Sequence, residues 1–207
     1  MRRIGRIVNE ESALLAAWAD GDDGAAQELL SRHFDRLFRF FELSAPGMAE
    51  DLVQETLLAA VEGRSRYRAE AGFAAFLMGI ARNKVLMYWR TRSRRPREVD
   101  VGSQSLMALG ASASSIVAHH ERGQRLLQAL RAIPLSDQLL LQMHYWDELS
   151  GPQLAAALDV PEGTVRSRLR SAKRRLRQLM DAADRPEPEQ ADPFDAWVAG
   201  LKDALGG

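Results

Sequence analysis

Apolar side chains recur along this chain with the period of an α-helix almost everywhere. Leu14, Leu15 and Trp18 share one face of residues 11–18. Over 25–43, Leu29, Leu30, His33, Phe34, Leu37, Phe38 and Phe41 form an i, i+3, i+4 stripe. Ala45-Pro46-Gly47 interrupts it, and Leu52, Val53, Leu57 and Val61 restart it over 48–62. A polar, Arg-rich connection runs from Gly63 to Gly72, followed by an apolar-rich helix over 73–91. No stretch alternates as a strand would, and no internal repeat is visible.

Residues 92–118 change character. Arg92, Arg94, Arg95 and Arg97 surround Pro96, and small polar residues follow as far as Ser115, the composition of a flexible linker. Beyond it, 119–132 carries Leu126, Leu127 and Leu130 and stops at Ile133-Pro134. A helix over 136–147, capped by Ser136, presents Leu139, Leu140 and Met143. A short helix over 151–158 ends in the turn Asp159-Val160. Pro161 then suits the first position of a last helix, and Glu162 suits its positive end. That helix extends to about Met180, with Val165, Leu169, Leu176 and Leu179 inward. The expectation is an all-α protein of two small helical domains, 1–95 and 119–180, joined by a linker over 96–118 and followed by an extension over 181–207. The second domain contains a helix-turn-helix.

Charge sharpens the picture. The 207 residues carry no net charge, yet the charges are segregated. Residues 64–97 hold ten Arg or Lys and one Glu, and 162–177 hold seven and one. Two basic clusters imply two contacts with a polyanion. The chain has no cysteine, which excludes disulfides and thiolate metal sites and fits a reducing cytoplasm. No apolar run approaches the roughly 20 residues that span a bilayer, and Met1-Arg2-Arg3 leads into no signal-type apolar stretch. The four histidines have no metal-ligand spacing, and neither a phosphate-cradling loop nor a nucleophile elbow is present. The expectation is a binding protein with no metal, no cofactor and no enzymatic activity.

Residues 151–177 carry the sharpest local signal. A short helix, a tight turn and an Arg-rich helix make a helix-turn-helix, whose second helix enters the major groove N-terminus first. Glu162, Thr164, Arg166, Ser167 and Arg170 stand where base edges are read, and Arg168, Lys173, Arg174 and Arg177 lie further along and suit phosphates. A second group, Arg82, Asn83, Lys84, Tyr88, Trp89, Arg90, Arg92 and Arg94, interleaves cations with aromatics, a combination that stacks unpaired bases. It reads equally as two core aromatics beside a solvated helix end. A third group sets Asp51, Gln54 and Glu55 beside Leu52, either a protein-docking row or an ordinary solvated face. A stand-alone DNA-binding regulator would use the helix-turn-helix but leave the other two groups unexplained.

Motifs in both halves resemble one family. Ala49-Glu50-Asp51-Leu52-Val53-Gln54-Glu55-Thr56, with Phe76-Leu77 and Ile80-Ala81-Arg82-Asn83, resembles the second conserved domain of sigma-70-type sigma factors of the extracytoplasmic-function (ECF) group. Ile133-Pro134, Gly163-Thr164-Val165-Arg166-Ser167-Arg168-Leu169 and Ala172-Lys173-Arg174-Arg175-Leu176 resemble their fourth. The resemblance spans about residues 12–180. It implies a factor that binds core RNA polymerase and directs promoter recognition and opening. Asp51, Leu52, Gln54 and Glu55 would then dock on polymerase. Arg82, Asn83, Lys84, Tyr88, Arg90 and Arg94 would take the −10-type element, and the loop over 63–72 a flipped base. Thr164, Arg166, Ser167, Arg168, Arg170, Lys173 and Arg174 would read the −35-type element. The helix near 136–146 would meet the polymerase flap, and an anti-sigma factor is a possible further partner. In the holoenzyme the factor would be a monomer.

This chain departs from the family pattern at four places. Phe76 replaces a usual Trp, Met87 a common Asp, Pro152-Gln153 an acidic residue and Asp159 the usual turn Gly. Its last segment also lies outside the pattern. Residues 184–192 are rich in Pro and acid and read as a disordered linker. Phe194, Trp197, Val198, Leu201 and Leu205 then fall on one helical stripe, with Phe194, Trp197 and Leu201 the anchors for docking onto the chain's own domains or a partner.

Overall fold

The computed structural model describes residues 2–93 and 121–181, so the linker over 96–118 and the tail beyond Asp181 lie outside the described residues. The described residues form four helices in the first segment and four in the second. They are α1 (Arg2–Ala19), α2 (Asp23–Ser44), α3 (Ala49–Glu62), α4 (Phe73–Ser93), α5 (Glu121–Ala132), α6 (Leu135–Tyr145), α7 (Gly151–Leu158) and α8 (Glu162–Asp181). Two 3-10 turns, Arg64–Arg66 and Ala69–Ala71, occupy the connection before α4.

Local chemistry sets the boundaries. Gly21 takes a positive φ of 97°, which turns the chain sharply after α1. Asp22 then caps α2, its Oδ1 accepting from the amides of Gly24 and Ala25 at 2.8 and 3.1 Å. Pro134, rather than Ser136, caps α6: its carbonyl accepts from Asp137 and Gln138, which places Ser136 inside the first turn. Pro161 likewise stands just outside α8, its carbonyl accepting from Thr164 and Val165.

Phe73 is the hub of the first core. Trp18, His33, Tyr67 and Phe76 surround its ring with centroids 5.4–5.9 Å away. Leu29, Leu37, Phe40 and Phe41 of α2 and Leu52 and Val53 of α3 close around α4. His33 also meets Glu11 at 3.4 Å, and that hydrogen bond holds the Glu11 carboxyl below its ordinary range. A second core joins Leu126, Ala129 and Leu130 of α5, Leu141 of α6, and Ala172 and Leu176 of α8. Ala172 also points inward, whereas Leu179, which the periodicity placed inward, is exposed.

The two cores are not separate. Leu139, Leu140 and Met143 of α6, with Leu149, Leu154 and Val165, belong to the first core. Gln142 donates its side-chain amide to the carbonyl of Phe40 at 3.1 Å. Helices α4 and α7 meet where Gly79 abuts Ala157: a Cβ on Gly79 would stand 2.7 Å from the Ala157 carbonyl oxygen. No larger residue allows this crossing.

Gly79→Ala tests the crossing. In an open helix the change stabilises by about 0.5–1 kcal/mol. Here the overpacked seam should lower stability by about 1–3 kcal/mol instead, read as a fall in thermal midpoint. Scattering should show a larger radius of gyration while the circular dichroism stays helical. A stabilised, equally compact variant would contradict the packing.

Candidate nucleic-acid interface

Two of the residues that depart from the family pattern, Gln153 and Asp159, stand at the entry to α7 and at the turn between α7 and α8. Gln153 accepts at its Oε1 from both the amide and the hydroxyl of Ser150, 2.9 Å each, and so fastens the entry to α7. Asp159 ends α7 in the left-handed region, at φ 51° and ψ 50°, a conformation that Asp tolerates better than most residues. The amide of Val160 returns to the Ala155 carbonyl, and α8 leaves from Pro161.

Val165 is buried, and this fixes the rotation of α8. Arg166, Ser167, Arg168, Arg170 and Arg174 are consequently exposed. Arg166 reaches Glu162 at 3.0 Å, yet 72% of its side-chain surface remains accessible. Ser167 donates to the Thr164 carbonyl at 2.9 Å, and Thr164 itself is half-buried. Lys173 is diverted: its ammonium lies 4.8 Å from the Tyr145 ring centre. Arg175, not among the expected readers, pairs with Asp137 of α6.

Helix α4 distributes its basic row differently. Asn83 and Arg90 are exposed. Lys84 donates to Glu55 of α3 at 2.9 Å, joining the expected DNA row to the expected docking row. Arg92 donates to the Tyr88 hydroxyl at 3.1 Å and lies over its ring. Trp89 is structural, its indole N–H donating to the Ser44 carbonyl at 2.9 Å. Arg94 lies outside the described residues, as do Phe194, Trp197 and Leu201 of the tail. On α3, Asp51, Gln54 and Glu55 are exposed, but Leu52 is only 4% accessible. Leu52 therefore supports the row from beneath and forms no part of its surface.

In the connecting loop, a Cβ on Gly63 would meet the Ala59 carbonyl oxygen at 2.8 Å, so the chain turns tightly there. Tyr67 packs against Phe73 and Phe76, and burial, with the charges of Glu11 and Glu70, pushes its hydroxyl pKa up.

The seam between the segments holds what periodicity could not show. Arg82 is half-buried on α4, and its Nε is enclosed without a hydrogen bond. Burial, then the nearby cations Arg168 and Arg90, lowers its pKa. One residue from each basic cluster thus meets its like across the seam. Asp147, after α6, has a buried Oδ2 that accepts no hydrogen bond. Burial raises its pKa from 3.8 to about 7, against the pull of Arg36 and Arg39 on α2.

An Arg-studded reading helix and a second basic helix with an aromatic lie on one chain, beside an exposed acidic row on α3. That is the layout of a promoter-recognising initiation factor. The comparisons agree. Residues 27–95 match the family model "Sigma-70 region 2", and residues 123–176 match "Sigma-70, region 4". The ECF RNA polymerase sigma factor SigF of Caulobacter vibrioides is 30% identical over 175 residues, 83% of this chain and 94% of that protein. The ECF RNA polymerase sigma-E factor of Escherichia coli K12 is 26% identical over 162 residues, 74% of this chain and 85% of that one. In fold, the chain is similar to CnrH solved with the cytosolic domain of CnrY. The TM-score is 0.56 at 22% identity, covering 84% of this chain and 99% of that one. It is also similar to the sigma factor RpoE solved with the anti-sigma factor NepR from Bartonella quintana, with a TM-score of 0.52 at 24% identity over 77% and 98% of the chains. The chain belongs to the ECF RNA polymerase sigma factors, which direct transcription initiation at promoters.

Asp147 generates a pH prediction. Its folded pKa lies above its unfolded value, so the folded state keeps the proton longer. The resulting stability is complete below about pH 4 and is lost as pH rises towards 7. Asp147→Asn should flatten that decline, measured as urea midpoints across the window. An unchanged slope would remove Asp147 as its source.

Proposed function

We propose that the three exposed rows divide the work of initiation. Asp51, Gln54 and Glu55 on α3 seat the factor on core RNA polymerase. Arg82, Asn83, Lys84, Tyr88, Arg90 and Arg94 take the −10-type element, and the loop over 63–72 receives a flipped base. Thr164, Arg166, Ser167, Arg168, Arg170 and Arg174 read the −35-type element, with Lys173 at the margin. The protein acts in the cytoplasm by binding rather than catalysis. An anti-sigma factor is a fitting further partner, since both solved neighbours were captured with another protein on them.

One observation carries this reading: the buried Val165 turns five polar and basic side chains of α8 outward in a protein of this family. The energetics fit it. Unstacking duplex DNA costs about a few kcal/mol per step. Each captured base that stacks on an aromatic returns about 1–3 kcal/mol. Two moderate contacts on one chain reinforce each other only when their spacing matches the site.

In the free protein Arg82 is half-buried at the seam, so the −10-type row is only partly presented. On this reading the segments part as polymerase takes the chain, and the free protein binds promoter DNA weakly.

Run-off transcription with core polymerase tests the proposal. Transcripts should depend on this protein. Arg166→Ala and Arg170→Ala should each weaken promoter use by about 1–3 kcal/mol, with polymerase binding intact. Glu55→Arg should do the reverse, weakening polymerase binding first. Absence of both protein-dependent transcripts and polymerase binding would sink the proposal.

A further inference from the structure

The first segment carries an apolar groove that the three rows leave unused. Trp18, Ala26, Leu30, Phe34, Leu57 and Val61 line it, between the end of α1 and the facing sides of α2 and α3, and its volume is about 660 Å³. Among the described residues five large apolar side chains are exposed. Two of them, Phe34 and Val61, line the groove. They leave apolar surface uncovered there.

The same chain holds an apolar surface in search of a partner. Phe194, Trp197, Val198, Leu201 and Leu205 fall on one helical stripe. A helix of about 13 residues is marginal in water and needs a surface to fold on. We infer that residues 192–205 fold as a helix into the groove between α2 and α3 of their own chain.

The tether and the matching apolar chemistry support this occupant, and the segment's acids can stand clear of the acidic rim. From the end of α8 at Asp181, the ten residues 182–191 span up to about 35 Å, comparable to the width of a small domain. The stripe offers aromatic and Leu side chains to a lining of the same chemistry. The rim of the groove includes Asp23 and Asp35. Of the segment's acids, Asp192 and Asp203 fall on the face opposite the stripe, and Asp195 shares a flank with the cation Lys202. Tethering gives the segment an effective concentration of the order of millimolar, so modest affinity suffices. A separate partner would have to compete with it.

Occupancy has a consequence. Gln54, Leu57 and Val61 follow one another at helical spacing on α3, so a helix in the groove lies alongside the row proposed to meet polymerase. That consequence rests on the proposed function, whereas the docking does not.

The absence of cysteine makes a direct test clean. Ser31 is an exposed lining residue. In the full chain, Ser31→Cys is combined with Val198→Cys on the stripe, or with Asp203→Cys on the far face. Intramolecular cross-linking should run at least roughly tenfold faster for the first pair, as a fixed docked geometry requires. Adding Trp197→Ala and Leu201→Ala should erase the difference. Amide exchange over 26–35 and 54–61 should quicken when the chain is cut after Asp181. Equal rates for the two pairs, or a covalent dimer as the main product, would overturn the inference. Because polymerase and DNA are absent, failure here leaves the transcription assay to judge the sigma-factor roles separately.

Discussion

The contact between Gly79 and Ala157 governs the arrangement of the described structure. At this crossing α4 and α7 touch backbone to backbone, and only a residue without a Cβ permits it. Everything on the second segment follows from that seat. Helix α6 turns Leu139, Leu140 and Met143 towards the first core, and Gln142 finds the Phe40 carbonyl. Helix α8 is held by α5, α6 and α7, and its Arg168 comes near enough to Arg82 to add to the effect of burial in lowering that residue's pKa.

The seam is therefore a balance. Apolar burial favours closure, with each buried Leu worth about 1.5–3 kcal/mol relative to exposure. Two features oppose it: like charges from the two basic clusters, and the buried carboxyl of Asp147. A seam whose terms oppose one another can be opened by a partner that replaces the apolar contacts and takes up the cations. On the proposed function, core polymerase and promoter DNA would take up those two tasks respectively.

Much of the local structure was legible in the sequence. Periodicity located the described helices to within a few residues, apart from α1, which begins at Arg2 well before the stripe at Leu14. The helix-turn-helix could be read from Asp159, Pro161 and the Arg row that follows. Other features depend on contacts between distant residues, to which periodicity is blind. Gly79 and Ala157 each look like ordinary small residues of a helix until the two helices meet. A stripe marks an apolar face but not whether anything covers it, so Phe34, Val61 and Leu179 could not be told apart from Leu29 or Leu176. Motif resemblance placed Leu52 in the docking row, where neighbours in sequence alternate between surface and core. The stacking of Lys173 on Tyr145 and the pairing of Lys84 with Glu55 likewise needed the fold.

The apolar face of α6 has a last implication, for copy number. Leu139, Leu140 and Met143 face the first segment in the closed chain and would meet water in an open one. If the segments part on polymerase as proposed, molecules without a polymerase to bind would keep that adhesive face turned inward, and a surplus would not clump.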